Sequence, residues 1–175
     1  MSLSPCRECK NNVSDEAKTC PVCGAPFPAR AEWKGSGFEW KSEKTIYGYP
    51  LVHIAFGRNA KGKLRVAKGI IAIGQFAIGA ITFAQFGIGV IFGFGQCIFG
   101  LTAIAQMAVA LLFGCGQLST GYVAIGQVVV ANYGLAQVGL AKYIWSSARQ
   151  DPEAAEFFLR LAEKVGLPIS KFFTK

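Results

Sequence analysis

Large and small residues alternate along the chain from Ile70 to Ala141 with almost no polar interruption, and the alternation is punctuated by Gln75, Gln85, Gln96, Gln106, Gln117, Gln127 and Gln137. Successive glutamines stand 10, 11, 10, 11, 10 and 10 residues apart, which gives a full period of 21. Internal repetition on this scale predicts a solenoid. The period also fits three helical turns of about 3.5 residues, so the side-chain pattern has to choose between helix and strand. After each glutamine the residues at +1 and +3 are mostly large, as in Phe76 and Ile78, Phe86 and Ile88, and Val128 and Val130. A spacing of two places both on one face of a strand but on roughly opposite sides of a helix. The stretch from Gly69 to Ala141 also holds 14 glycines, each costing a helix on the order of 1 kcal/mol.

The pattern therefore predicts a mainly β chain built around a β-solenoid of about 21 residues per coil, with four short sides that each point two large residues inward. Ala77, Thr82, Ile98, Ala103 and Ser119 then fall on the outer wall, and Cys97 and Cys115 pack inside as thiols. Gln75, Gln96 and Gln117 would stack in one column and Gln85, Gln106 and Gln127 in another. Side-chain amides about 4.8 Å apart form ladders, so the glutamines, Gln137 included, are expected to be structural.

Shorter alternations flank the repeat. Phe38–Ser42 and Thr45–Tyr47 read as edge strands leading into a strand over Pro50–Gly57, and Arg58–Lys63 reads as a charged hairpin tip. His53, the only histidine, has no partner in the sequence that would make it a ligand or base, and a structural or surface position is expected. Pro26–Gly37 reads as a linker with a turn. Asp151-Pro152-Glu153 predicts a helix with an N-cap aspartate, running to about Lys164 ahead of Gly166 and Pro168. Its stripe of Phe157, Phe158, Leu161 and Val165, followed by Ile169, Phe172 and Phe173, suits a cap over the open end of the solenoid. The alternative is a membrane-surface or partner-docking helix, with Lys164, Lys171 and Lys175 beside the apolar residues. The expected domains are 1–28, a linker at 29–45, the repeat at 46–145 and a cap at 146–175.

Charge sharpens this picture. Of the 175 residues 52% are apolar and 16% charged, and the net charge is +8. The segment 1–68 carries 12 basic and 6 acidic side chains and 142–175 carries 6 and 4, whereas the stretch from Gly69 to Ala141 carries none. So neutral a block is unlike a disordered tail, and it lacks the polar groups of a conventional active site. One histidine and few acids supply no paired carboxylates and no nucleophile with a base, so an enzyme is not expected. Met1 is followed by polar residues and cysteines, which is unlike a signal peptide and points to a cytoplasmic chain, with the inner face of the membrane as an alternative site.

Four of the six cysteines form Cys6-Arg7-Glu8-Cys9 and Cys20-Pro21-Val22-Cys23. Two such knuckles close a tetrahedral shell around Zn²⁺ with no vacant position, so the expected cofactor is a structural zinc ion held by Cys6, Cys9, Cys20 and Cys23. The intervening loop is polar and builds no core, so the segment should fold on its metal. Its few basic residues are interspersed with Glu8, Asp15 and Glu16, which disfavours nucleic acid as a partner. The cysteine pattern resembles the short zinc ribbons at the head of many bacterial proteins, which implies a docking or folding module for a protein partner.

The stretch from Gly48 to Phe76, with Pro50-Leu51-Val52-His53 and Ala67-Lys68-Gly69-Ile70-Ile71-Ala72-Ile73-Gly74, resembles a group of uncharacterised bacterial proteins. These join a zinc ribbon to a Gly-rich AIG-type repeat and end in a DPEA-type helix. More distantly, the repeat is similar to pentapeptide-repeat solenoids and to bactofilins, the polymer-forming bacterial solenoids. The resemblance implies architecture without an activity. The expected function is that of a non-enzymatic structural protein that self-assembles into an oligomer or filament, with the ribbon as docking module. The alternatives are a membrane-associated or membrane-embedded protein and a zinc-dependent adaptor for protein or nucleic acid.

Overall fold

The computed structural model describes residues 2–166; the expected apolar residues Ile169, Phe172 and Phe173, and Pro168, Lys171 and Lys175, lie outside them. Seven β elements precede one helix: β1 (Leu3–Pro5), β2 (Asn12–Ser14), β3 (Ser36–Lys41), β4 (Thr45–Ile46), β5 (Tyr49–Pro50), β6 (Val52–Arg58), β7 (Val66–Trp145) and α1 (Pro152–Val165). The chain is mainly β with one C-terminal helix, as its alternating pattern predicts.

Two compact units divide it. The first comprises Met1–Phe38 and Phe56–Arg65, the second Glu39–Ala55 and Val66–Lys175. In the first, β1 and β2 pair antiparallel with Ser4 opposite Val13. The predicted hairpin tip is present as well. Arg58 bridges Leu64, and Asn59 Oδ1 accepts hydrogen bonds from the backbone N–H of Lys61 and Lys63, each at 3.0 Å. In the second unit, β4 and β5 form a short hairpin, and residues Val52–Ala55 of β6 pair in parallel with Ile71–Gly74 of β7.

The second unit is dominated by β7, an uninterrupted run of 80 residues in extended, hydrogen-bonded backbone. Drawn out straight, such a strand would span roughly 260 Å, so the run has to fold back on itself. Its closest backbone approaches show at what spacing. A Cβ on Gly95 would lie 1.6 Å from the carbonyl oxygen of Ala84, and one on Gly116 would lie 1.7 Å from that of Ala105. Only glycine allows backbones so close. Gly126 meets Gly116 and Gly139 meets Val129 in the same way. Aromatic rings repeat the spacing, with Phe76 stacked on Phe86 at 5.6 Å and Tyr133 on Tyr143 at 5.1 Å. Each of these neighbours is a single glutamine-to-glutamine interval away, half the period expected for a coil.

Burial inverts the expected orientation of the repeat. Ala72, Ala77, Thr82, Ile98, Ala103, Ala108, Ser119, Ala124 and Val129 are buried, recurring at about every fifth position. Several of these were expected on the outer wall. Ile78, Phe83, Phe86, Ile88, Phe94, Phe99, Val128 and Val130, expected inside, are exposed. The reason is steric, because residues about five apart meet at van der Waals distance, as where a Cβ on Gly87 would lie 2.7 Å from Thr82 Cγ2, and leave room for little more than a methyl group. Where a larger side chain does enter, glycine faces it: a Cβ on Gly93 would lie 2.3 Å from Ile98 Cγ2, and one on Gly134 would lie 2.9 Å from Val129 Cγ2. Interior hydroxyls are satisfied by backbone, Thr82 Oγ1 donating to Ile88 O at 2.9 Å and Ser119 Oγ to Ile125 O at 3.0 Å. Cys97 is buried and Cys115 half-buried.

Helix α1 begins and ends where the sequence places it, with Gly166 in the left-handed conformation (φ 75°) closing it. Asp151 occupies the N-cap position but makes no capping bond. Its carboxylate instead accepts from Ile144 N at 2.8 Å and pairs with Arg149 Nε at 2.9 Å. The helix buries Phe158 and stacks Phe157 on Tyr133 at 4.5 Å, against a cluster that includes Val123, Ile125, Leu135 and Tyr143. From Val123 to Tyr143 these partners extend over two glutamine intervals of β7. The helix therefore covers one side of the last repeats, where an end cap would have met the final turn alone.

Candidate functional site

The two knuckles of the first unit are built alike. Cys6 N donates to Asn11 O and Lys10 N to Cys6 O; in the second knuckle Cys20 N donates to Ala25 O and Gly24 N to Cys20 O, all at 2.8–2.9 Å. Each knuckle turns through a residue in the left-handed region, Gly24 at φ 75° and Lys10 at φ 62°. The bridge between Thr19 and Pro26 holds the second loop. Arg7 ties the two together, its Nη1 donating to Pro26 O at 2.9 Å and to Phe27 O at 3.2 Å.

These turns bring together Cys6, Cys9, Cys20 and Cys23, whose sulfur atoms all lie within 4.8 Å of one another. Cys6 Sγ is 3.7 Å from Cys23 Sγ, and Cys9 Sγ is 3.7 Å from Cys20 Sγ. A disulfide needs about 2.05 Å, and all four cysteines are free. Four sulfurs at about 2.3 Å from a common tetrahedral centre stand about 3.8 Å apart. The cluster can hold a metal ion.

Electrostatics at the site are strained in the direction that favours a cation. The backbone N–H of Asn11 lowers the Cys9 thiol to about 6, assisted by the Cys23, Asn11 and Cys20 side chains. The backbone N–H of Cys9 likewise lowers Cys6. At Cys23 the backbone N–H of Ala25 also acts to lower the thiol, but desolvation and the Cys9, Cys20 and Cys6 thiols outweigh it and push Cys23 up to about 12. Four sulfurs this close cannot all ionise side by side unless a positive ion sits among them.

His53 is buried in the second unit, and its Nδ1 accepts from Lys68 N at 2.7 Å. The remaining proton is thereby placed on Nε2, which lies 3.3 Å from Glu39 Oε1 without the direction of a hydrogen bond. Glu39 is also within 3.2 Å of Lys41. The arrangement ties β6 to the start of β7, as the structural expectation requires. Gln75 is half-buried and the other six glutamines are exposed.

Sequence reasoning expects a weakly polar outer wall with a few large apolar residues, Ile91 and Leu111 among them, and underestimates how apolar that wall is because it puts most of the large residues inside. The structure leaves them outside, and between the columns of Phe76 and Ile78 runs a shallow groove of about 340 Å³ that also takes in Phe86, Ile88, Cys97 and Phe99. The missed signal was the small residue at every fifth position. Among the described residues no helix is long and apolar enough to cross a membrane. Comparison with family models, with curated proteins and with solved structures finds no match.

Proposed function

We propose that the chain is a non-enzymatic structural protein that self-assembles through a β-solenoid, with the cysteine cluster as a structural zinc ribbon that docks a protein partner. The observation that carries this reading is the exposed apolar wall. Phe86, Val90, Ile91, Phe94, Leu111 and Leu112 are each at least half exposed, and monomers in water rarely leave so continuous an apolar surface uncovered.

The solenoid is two-sided, with one glutamine interval per rung, half the coil first expected. Each rung places a small residue inward at the middle of each side and large residues outward beside it. Gly, Ala, Ser and Thr then fill the narrow interior while backbone hydrogen bonds between rungs hold the stack. In this arrangement the seven glutamines form a single column with one amide per rung, where the two-column arrangement expected from the longer coil would have separated them. That column supplies amide ladders within a chain and a polar seam at which a second chain can register. Zinc suits the cluster because four thiolates complete its tetrahedral shell, and such an ion stabilises a fold without acting on substrate.

The test is the mass of the purified full chain, measured by light scattering in buffer and in mild detergent, together with negative-stain images. A discrete oligomer or polymer is expected. A monodisperse monomer under both conditions sinks the assembly reading. Metal analysis should return one zinc per chain, lost in Cys20→Ser.

A further inference from the structure

We infer that the repeat crosses a lipid bilayer with its long axis along the membrane normal, a reading that rests on the two-sided solenoid proposed above and names lipid hydrocarbon as what covers its wall. Length is the first argument. With the longer coil first expected, the neutral block would rise only about 17 Å, too short to span; with one glutamine interval per rung it makes about seven rungs, and at about 4.8 Å each they rise about 33 Å. The hydrocarbon core of a bilayer is about 30 Å thick. Charge stops at the same two levels. No charged residue lies between Lys68 and Lys142, and Lys41 and Lys44 precede the block as Arg149 and Arg160 follow it.

The aromatic residues sort by depth in the same way. Between Tyr49 and Tyr122 there is neither Tyr nor Trp and the benzene rings are all phenylalanines, while Trp40, Tyr47 and Tyr49 stand before the block and Tyr133, Tyr143 and Trp145 at its other end. Tyr and Trp gather at the two membrane–water interfaces, and Phe tolerates the centre. Apolar exposure is also spread as lipid requires, and the six exposed glutamines fall in the one column whose amides can bond from rung to rung. A second copy would cover one side, whereas here Phe86 and Ile88 on one side, Phe83 and Phe94 on the other, and Ile91 and Leu111 at the edge are all exposed.

Lipid demands that backbone groups find partners within the protein. Rungs pair with the rungs above and below, and interior hydroxyls donate to carbonyls. At the first end β6 pairs with the opening of β7. At the other, Asp151 N donates to Ile144 O while Ile144 N donates to the Asp151 carboxylate. Unpaired rung edges thus fall at the levels where charge and water return. Unlike a transmembrane barrel, whose strands tilt about 35–45° from the axis, this arrangement lays its strands nearly in the plane of the membrane.

The full chain, expressed in bacterial cells, should remain with the membrane pellet through an alkaline carbonate wash and be released by detergent. Reconstituted into vesicles of phosphatidylethanolamine and phosphatidylglycerol, its amide I dichroism should place the strands near the bilayer plane. Leu111 and Leu140 are 72% and 77% exposed, so a charge at either disturbs no core. Leu111 lies within a rung of mid-block and Leu140 at its end. Leu111→Arg should cut membrane partitioning on the order of 100-fold, and Leu140→Arg far less, because its charge reaches the interface. Strand content measured in detergent confirms that both variants fold. Release of the wild type by carbonate, or equal effects of the two arginines, overturns the spanning inference while a discrete oligomer in buffer leaves the assembly reading standing. Carbonate resistance with a monomer in both buffer and mild detergent supports spanning and removes self-assembly.

Discussion

The cysteine cluster and the repeat dispense with a conventional hydrophobic core in opposite ways. In the first unit, polar loops converge on four sulfurs, and little but Val13, Ala25 and Pro28 is buried beside them. Order there depends on one point. In β7, order is spread over 80 residues of backbone, and the buried side chains are almost all alanine, glycine, serine or threonine. On the proposed reading, apolar burial is replaced in one unit by coordination and in the other by a continuous hydrogen-bonded ladder, and the two fail differently.

The largest effect should come from striking the point. Replacing buried Cys20 by Ser, or stripping metal with a chelator, removes a binding free energy on the order of 10 kcal/mol. Amide exchange of residues 2–30 should rise to unprotected rates while the strand signal of the repeat persists. Simultaneous loss of both would show that the two regions do not stand on separate supports.

The ladder should be most sensitive to added bulk. Gly95→Val puts a branched side chain where a Cβ already lies 1.6 Å from the Ala84 carbonyl oxygen, and loss of the repeat fold is expected. Ile98→Ala removes the largest fully buried side chain and should cost about 2–5 kcal/mol in denaturant midpoint analysis. If Gly95→Val melted no lower than Ile98→Ala, close backbone approach would not be what limits this interior.

Acid should loosen one end before the rest. The Ile144 backbone N–H, aided by Arg149, lowers the Asp151 carboxyl below its ordinary value. Its stabilisation is therefore present above the unfolded carboxylate pKa, about 3.9, and is lost as pH falls through the lower folded value. Asp151→Asn should abolish that acid-side dependence, read as fluorescence of Trp145 under the docked helix, and leave the cysteine cluster unmoved. The smallest expected effect is a gain. Lys10 holds φ 62° where its counterpart is Gly24, so Lys10→Gly should stabilise the first knuckle by up to about 1 kcal/mol in a metal-competition titration.

Much of this was legible from spacing. Two CxxC pairs brought four sulfurs together as their geometry requires, and Asp151-Pro152 with Gly166 bracketed the helix. The glutamine period marked the repeat. What spacing could not give was the sense of in and out, because alternation shows that two faces differ without saying which is buried. The rule that large apolar residues go inside then chose wrongly, since it presumes an interior with room for them. Ala77, Thr82 and Ala103 marked the true interior, and their recurrence at about every fifth position was the clue. The shorter rung proposed here has a related origin: the alternation of 10 and 11 suggests two sides of one coil, whereas contacts such as Gly95 with Ala84 bring together residues a single short interval apart.

The 10-and-11 alternation also has a consequence for how such a chain can change. Interior positions step by five except at Gly87 to Gly93 and Ala108 to Gly114, where they step by six. In the proposed solenoid each extra residue falls at a corner, beside Ile91 and Leu111. One glutamine interval, a single rung of 10 or 11 residues, is therefore the smallest insertion or deletion that returns every side chain to its own column there. A lineage carrying this repeat can then gain or lose height in increments of about 5 Å, like the graduations of a ruler, while any other change in length rotates the remaining residues out of register and exposes the wrong face.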